Sequence, residues 1–223
     1  MTARKGTRSS KAANTTGKKT SPQAAKETLK PSGAKAAKTS SMKSTGKTPA
    51  KNAEKKWTLP SVAREAGERR YWLIKSEPDV FSFDDLMRAP SQTTCWDGVR
   101  NNQARIYLRD QMKIGDGILY YHSGGEEPAI VGIAKVVREG YPDLTAFDAE
   151  HAHFDAKAKA ANPWIMVDVR AVSPLAISLT LSALRETAAL GGMVLLQKGS
   201  RLSVQPVRAE EWATILRLGG VSE

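Results

Sequence analysis

A second cysteine and long apolar runs are both missing from this sequence. The single cysteine, Cys95, cannot form a disulfide within the chain, which suits a reducing compartment. No run of about 18 apolar residues and no secretory signal is present. The sequence therefore predicts a soluble, intracellular protein that has no membrane-spanning helix.

Acidic and aromatic residues are nearly absent from the first 56 positions. This segment, the basic tail, holds 15 of the 34 Lys and Arg residues, two of the 23 Asp and Glu residues, and no aromatic residue. It has too little apolar surface to offset the entropy cost of ordering, so we expect residues 1–56 to be disordered and 57–70 to be a linker. Residues 57–223 keep 19 basic and 21 acidic residues, so the pI of 9.8 reflects the tail rather than the domain.

Lysines that recur along the basic tail can lie against nucleic-acid phosphates. Counterion release would then give affinity that is independent of sequence and falls with salt, with a log–log slope of about 0.9 per phosphate neutralised. In composition the tail resembles that of a linker histone. Two other interpretations stay open: a segment that only aids solubility or follows from an inaccurate start codon, and a transit peptide, since the tail is basic and Ser-rich.

Short apolar runs separated by Gly and Pro predict an α+β domain over residues 71–223. Helices are expected after the N-cap Ser82 and over 101–112, 180–187 and 210–218. Residues 141–163 lack periodicity and are predicted to form a long surface excursion. Strands are predicted over 71–75, 118–122, 129–137, 164–172, 194–197 and 202–204. Because strands and helices do not alternate regularly, we expect a small barrel with short helices.

Polar and aromatic side chains cluster in short runs at 75–78, 96–101 and 200–206. A ring, guanidinium groups, carboxamides and hydroxyls together suit a pocket for a flat polar ligand, which we interpret as a nucleic-acid base. A base taken out of a stack loses a few kcal/mol. Stacking on one aromatic ring returns about 1–3 kcal/mol, so hydrogen bonds to the base edge are also needed.

Each candidate residue has a predicted role and an alternative. Trp96 offers a stacking face, or it anchors the core. Arg100 and Arg201 can meet phosphates or a base edge. Asp97 is expected to fold its own turn or to pair with Arg100. Edge donors and acceptors are expected from Lys75, Ser76, Asn101, Ser123, Ser203 and Gln205.

Catalytic patterns are weak in this sequence. His122 lies beside Ser123, but neighbouring residues of a strand point to opposite faces. His151 and His153 with Asp155 form at most a weak metal site, since no third His or Cys lies nearby. No phosphate loop or dinucleotide motif occurs, so we predict no catalytic residue, metal or cofactor. Two alternatives stay open: a linker-histone-like compaction protein whose barrel serves protein contacts, and an enzyme acting on nucleic acid.

Four motifs in order resemble the EVE domain: YWLIKSEP at 71–78, TCWDGVRN at 94–101, YHS at 121–123 and SRLSVQP at 200–206. The resemblance spans roughly 71–218. It implies a PUA-like β-barrel without enzymatic activity that binds modified bases, such as hydroxymethylcytosine in DNA, or RNA. We favour DNA over RNA as the partner and expect no membrane contact. We also expect a monomer, located in the nucleus of a eukaryote or with the nucleoid in the cytoplasm of a bacterium.

The resemblance adds residues within its motifs to the candidate set and also marks departures from the family. Where the family usually has Tyr and Asn after the Arg-Asn pair, this chain has Asn102 and Ile106. Gly124 stands where the family often has Asn. We expect these changes to affect the preferred modification rather than the fold. The complete predicted base-binding set is Lys75, Ser76, Trp96, Val99, Arg100, Asn101, Tyr121, Ser123, Arg201, Leu202, Ser203 and Gln205.

Overall fold

The computed structural model describes residues 64–158 and 162–221. The expectations for the basic tail and for residues 57–63 of the linker lie outside this part. The strands are β1 Tyr71–Ser76, β2 Thr93–Trp96, β3 Gly117–His122, β4 Ala129–Pro142, β5 Ile165–Thr180 and β6 Val204–Val207. The helices are α1 Phe83–Arg88, α2 Asn102–Ile106, α3 Leu181–Glu186 and α4 Ala209–Leu218.

The six strands form one mixed sheet in the order β2-β5-β4-β3-β1-β6. Strands β1 and β3 run parallel, and the other neighbours are antiparallel. Each strand contributes a buried residue to one continuous inner core, so the sheet curls around it. These residues are Trp72, Trp96, Tyr120, Val136, Val169 and Val204. The predicted α+β fold with short helices is confirmed.

A second core lies on the outer face of the sheet. Side chains alternate along a strand, so the neighbours of the inner residues, such as Leu73 and Leu119, point outward. Helices α3 and α4 cover them with Leu184, Trp212 and Ile215. The sheet is therefore apolar on both faces, which fits strands with continuous apolar runs.

Local sequence signals explain where the helices begin. The Ser82 hydroxyl accepts from the Asp85 amide at 3.0 Å, and the Asp85 carboxylate accepts from the Ser82 amide at 2.9 Å. This reciprocal capping box starts α1 as predicted. Helix α2 starts at the N-cap Asn101 and continues as a π-helical turn over Tyr107–Gln111.

Three short segments differ from the prediction in kind, and β4 and β5 end at Pro142 and Thr180 rather than at the predicted 137 and 172. Residues 194–197, predicted as a strand, form a 3-10 turn over Val194–Leu196. Strand β6 begins at Val204 rather than 202 and includes Pro206, because an edge strand tolerates a residue without a backbone N–H. Strand β2 was not predicted. Its four residues pair with a distant segment of β5, which a local pattern does not reveal.

Asp116 ties the segment before β1 to the domain. Its side chain is only 1 % exposed, and its two oxygens accept hydrogen bonds from Nη1 and Nη2 of Arg64, both at 2.8 Å. It also accepts the Trp72 indole N–H at 2.9 Å and the Arg70 amide at 3.1 Å. Residues 64–70, assigned to the linker, are thus held against the folded sheet.

Asp143 similarly fixes the start of the long excursion. Its carboxylate is fully buried and accepts from Arg100 Nη1 at 2.6 Å, the Gly98 amide at 3.0 Å and the Thr145 hydroxyl at 2.6 Å. Burial alone would raise the pKa of Asp143, but these hydrogen bonds more than offset it and hold the pKa below its usual value. Arg100 also donates from Nε and Nη2 to the His153 carbonyl, at 3.0 and 2.5 Å.

Gly98 permits this close contact. Its φ of +70° lies in the left-handed region, and an added Cβ would lie 2.3 Å from Cδ2 of His153. The excursion is therefore packed directly against the 96–101 stretch. Further along, the Trp164 indole donates to Asp155 at 2.8 Å.

His122 links the end of β3 to the start of α1. Its Nε2 accepts from the Phe83 amide at 3.1 Å, so the bond requires the neutral ring. Burial lowers the pKa of His122, although the nearby Asp84 charge opposes the shift.

Replacing Asp143 with alanine should reduce the free energy of unfolding by about 3–5 kcal/mol, because the buried partners of the carboxylate lose their acceptor. Chemical denaturation of the full chain measures this loss. Asp110→Ala is the matched control, since Asp110 pairs with Arg109 on the exposed surface, where ion pairs contribute little. Equal losses in the two variants would contradict the role of Asp143.

Acidification should expose the role of His122. A group whose pKa is lowered on folding contributes stability that is present above its unfolded pKa, about 6.5, and is lost as the pH falls through the folded value. We expect His122→Gln, whose amide oxygen can accept from Phe83, to lose less stability than the wild type over that range. Denaturation at a series of pH values gives both curves. If the two curves of stability against pH were parallel, His122 would not contribute, because the carboxylates titrate in both proteins and would account for the whole loss.

Candidate nucleic-acid interface

A cavity of about 500 Å³ opens between the ends of β1 and β3, helix α3 and the segment before β6. Its volume falls within the range of about 300–1,000 Å³ that is typical of small-ligand sites. The lining combines basic, polar and apolar side chains. Its residues are Lys75, Tyr121, Leu181, Arg185, Leu195, Leu196, Gln197, Lys198, Gly199, Ser200 and Arg201.

Backbone pairing brings two of the predicted motifs together at this cavity. The Lys75 amide donates to the Ser203 carbonyl at 2.9 Å. Gln205 is buried, and its Nε2 donates to the Ser200 hydroxyl at 3.0 Å and to the Leu202 carbonyl at 2.9 Å. These bonds fold the 200–205 segment back on itself and hold Ser200 and Arg201 at the cavity.

Four cations line the cavity, and no acidic side chain does. They are Lys75, Arg185, Lys198 and Arg201. Within residues 64–158 and 162–221, none of the four forms an ion pair. The domain is close to neutral overall, so this cluster is a local concentration of positive charge that suits an anionic ligand such as nucleic acid.

Lys75 and Tyr121 form the inner part of the lining. Lys75 is partly buried, and this burial lowers its pKa. Its ammonium lies 5.8 Å from the centroid of the Tyr121 ring, within cation–π range. Burial raises the pKa of the Tyr121 hydroxyl, with Arg185 opposing the shift. Tyr121 is only 4 % exposed, so its ring is a fixed wall.

Trp96 and Val99 do not line this cavity. The Trp96 ring is 9 % exposed and packs edge-to-face on Tyr120, with ring centroids 5.6 Å apart. Val99 is 4 % exposed and belongs to the same inner core. The geometry therefore agrees with the alternative interpretation of Trp96, as a core anchor, rather than with an open stacking face.

The side chains of Arg100 and Asn101 also form hydrogen bonds within the protein. The Arg100 guanidinium donates to Asp143, Thr145 and His153. Arg100 therefore clamps the excursion, and its ion pair forms with Asp143 rather than with Asp97, which was one of the two alternatives expected for Asp97. Its contact with a phosphate or a base edge stays a prediction. The Asn101 side-chain oxygen accepts from the amides of Gln103 and Ala104, at 2.9 and 3.1 Å. Its role is to cap α2.

Ser76 and Ser123 brace the loops at the ends of β1 and β3. The Ser76 hydroxyl donates to the Phe81 carbonyl at 2.6 Å. The Ser123 amide donates to the Ser76 carbonyl at 2.8 Å, and its hydroxyl lies 3.3 Å from the same oxygen. Both serines therefore support the rim near Lys75 instead of lining the cavity.

Sequence reasoning missed Arg185, Gln197 and Lys198. Arg185 lies on α3, which the pattern predicted only as a helix. Lys198 lies two residues before the 200–206 motif. The residue between them, Gly199, has a φ of +78°. The departure at Asn102 is exposed on the first turn of α2 and lies outside the cavity lining.

The two histidines of the excursion lie close together. The rings of His151 and His153 are 5.5 Å apart. In the described part of the chain, no three His, Cys, Asp or Glu side chains are grouped so that they could hold a metal ion. No helix of that part is long and apolar enough to cross a membrane.

Comparisons with known proteins agree with the motif assignment. The EVE domain model matches residues 70–218. Human thymocyte nuclear protein 1 is 43 % identical over an alignment of 166 residues, and the match covers 66 % of this chain and 73 % of that protein.

Solved structures give the same result. A hypothetical protein from Leishmania major has a TM-score of 0.66 and 47 % identity, covering 70 % of this chain and 98 % of its own. Human THYN1, solved in complex with 5-methylcytosine-containing DNA, has a TM-score of 0.64 and 41 % identity, covering 69 % of this chain and 99 % of its own. The matched region includes the strands, the helices and the cavity, and on these grounds the chain belongs to the EVE domain family.

Proposed function

We propose that this protein is a non-enzymatic reader of modified bases in DNA, and that the base enters the cavity beside Lys75. The observation that carries the proposal is a cluster of four cations around a cavity whose lining includes the Tyr121 ring; within residues 64–158 and 162–221 these cations form no ion pair. Nucleic acid supplies the negative charge that this cluster lacks. The leucines of the lining supply apolar contact for a base face.

The human relative supports the choice of ligand. Its structure was solved with 5-methylcytosine-containing DNA, and its sequence is 41 % identical. We therefore favour DNA over RNA, and we propose that the protein acts as a monomer. The word nuclear in the name of the relatives supports a nuclear location if the cell has a nucleus.

The predicted base-binding residues have different parts in this proposal. Lys75, Tyr121 and Arg201 line the cavity and would contact the ligand. The remaining residues of the 200–206 motif, with Ser76 and Ser123, hold the rim in shape. Trp96, Val99, Arg100 and Asn101 would act at a distance by fixing the core and the long excursion.

The basic tail would contribute affinity without selectivity. Its net charge is about +13, against about −2 for residues 57–223. Such a polycation binds phosphates of any sequence and speeds association at low salt. The cavity would then discriminate among bases that the tail has brought close.

Replacing Arg201 with methionine should weaken binding to 5-methylcytosine DNA by about 1–3 kcal/mol, or roughly 5- to 150-fold, because one charged contact is lost. Fluorescence anisotropy with matched duplexes measures this change. Arg217→Met is the matched control, since Arg217 is exposed on α4, away from the cavity. If both variants bind alike, the cavity is not the DNA site.

Deleting residues 1–56 should flatten the salt dependence of binding and keep the preference for modified over unmodified duplexes. The slope of log affinity against log salt falls by about 0.9 for each phosphate contact removed. The solved relatives are almost wholly covered by the matched region, so a domain of this size is stable without such a tail. Loss of the preference together with the tail would contradict this division of roles.

A further inference from the structure

We propose that the cavity is an oxyanion site, so the nucleotide it prefers places a negatively charged group beside Lys75. This inference rests on the proposed function and deepens it. A methyl group on the base would satisfy only the apolar part of the lining. The partly buried ammonium of Lys75, which has no ion-pair partner within residues 64–158 and 162–221, would instead favour a group of opposite charge.

The four cations differ in depth. Lys75 is partly buried against the buried Tyr121 ring, whereas Arg185, Lys198 and Arg201 are exposed at the rim. An ammonium that is removed from water without a counter-charge is destabilised. An anion beside Lys75 would offset this desolvation cost. The exposed cations at the rim remain hydrated, so their desolvation cost is small.

The polar groups of the lining are mostly donors. Lysine and arginine donate hydrogen bonds and cannot accept them. The Ser200 hydroxyl accepts from Gln205 and keeps its own O–H as a donor, whereas Gln197, whose Nε2 donates to the Gly191 carbonyl at 3.2 Å, contributes one side-chain oxygen as an acceptor. A neutral base edge presents both donors and acceptors, so its donors would find few partners among these side chains. A carboxylate or a phosphate presents acceptors alone and matches the lining better.

Two parts of a nucleotide could carry this oxyanion. One is a carboxylate on the base, as in 5-carboxylcytosine. The other is the phosphate of the nucleotide that enters the cavity. Both have the same chemistry at Lys75, but only the first discriminates between bases.

The test uses the full chain and matched duplexes with one central cytosine that is unmodified, 5-methylated or 5-carboxylated. A fourth duplex carries 5-methylcytosine with an uncharged methylphosphonate at its phosphate. If the base carries the anion, the carboxylated duplex should bind on the order of tenfold more tightly than the methylated one. If the phosphate does, the methylphosphonate should weaken binding by a similar factor and the carboxylate should bring no gain.

Two variants assign the effect to Lys75. Lys75→Met should abolish whichever difference the wild type shows, while Lys75→Arg should keep it, because the charge is retained. Arg217→Met is the control and should behave as the wild type. Thermal unfolding shows whether each variant is folded. If Lys75→Met is unfolded, Lys75→Gln, which also removes the charge but keeps a polar end, takes its place and should abolish the same difference.

Three results would overturn the inference. If the wild type prefers 5-methylcytosine over cytosine but is insensitive to both the carboxylate and the methylphosphonate, the oxyanion site is wrong and the reader function stands. If Lys75→Met keeps the wild-type difference, the anion lies elsewhere. If all four duplexes bind equally, both the inference and the proposed function fail.

Discussion

The arrangement of the domain depends on a buried carboxylate, that of Asp143. A buried charge must be paired, and this one takes Arg100, the Gly98 amide and Thr145 as partners. Arg100 in turn holds the His153 carbonyl, so one ion pair joins the stretch after β2 to the long excursion before β5. The aromatic and basic residues of that stretch thereby help to build the domain, and the ligand site that we propose lies in a different part of the sheet.

Pairing of charges explains why the cavity stands out in a domain that is nearly neutral. Several other arginines have a carboxylate within hydrogen-bond distance, such as Arg64 with Asp116 and Arg208 with Glu211. Because the two charges of such a pair largely cancel, each pair produces little electrostatic field at a distance. The cations around the cavity have no such partners in the described part of the chain, so their position, rather than the total charge, gives the domain its basic site.

Much of the fold was predictable because local signals agreed with it. The Ser82 capping box and the apolar alternation of β1 and β3 are local features. The sequence also singled out Lys75 and the 200–206 motif, and of these Lys75, Ser200 and Arg201 line the cavity. The role of Arg100 was not predictable, because its partner lies 43 residues away and only the folded chain brings them together. Arg185 belongs to no motif, and its place beside Lys75 follows from tertiary structure alone.

Separating charge between a tail and a cavity also favours selectivity. Specificity is a difference between two affinities, and a term that is equal for all sequences cannot contribute to it. If the domain surface itself were strongly basic, backbone contacts in many orientations would compete with the one in which a base enters the cavity. A few cations at one opening act over about a Debye length, roughly 8 Å at physiological salt. In the function that we propose, the nearly neutral charge of the domain would therefore restrict its attraction for DNA to the opening, where the identity of the base can affect binding.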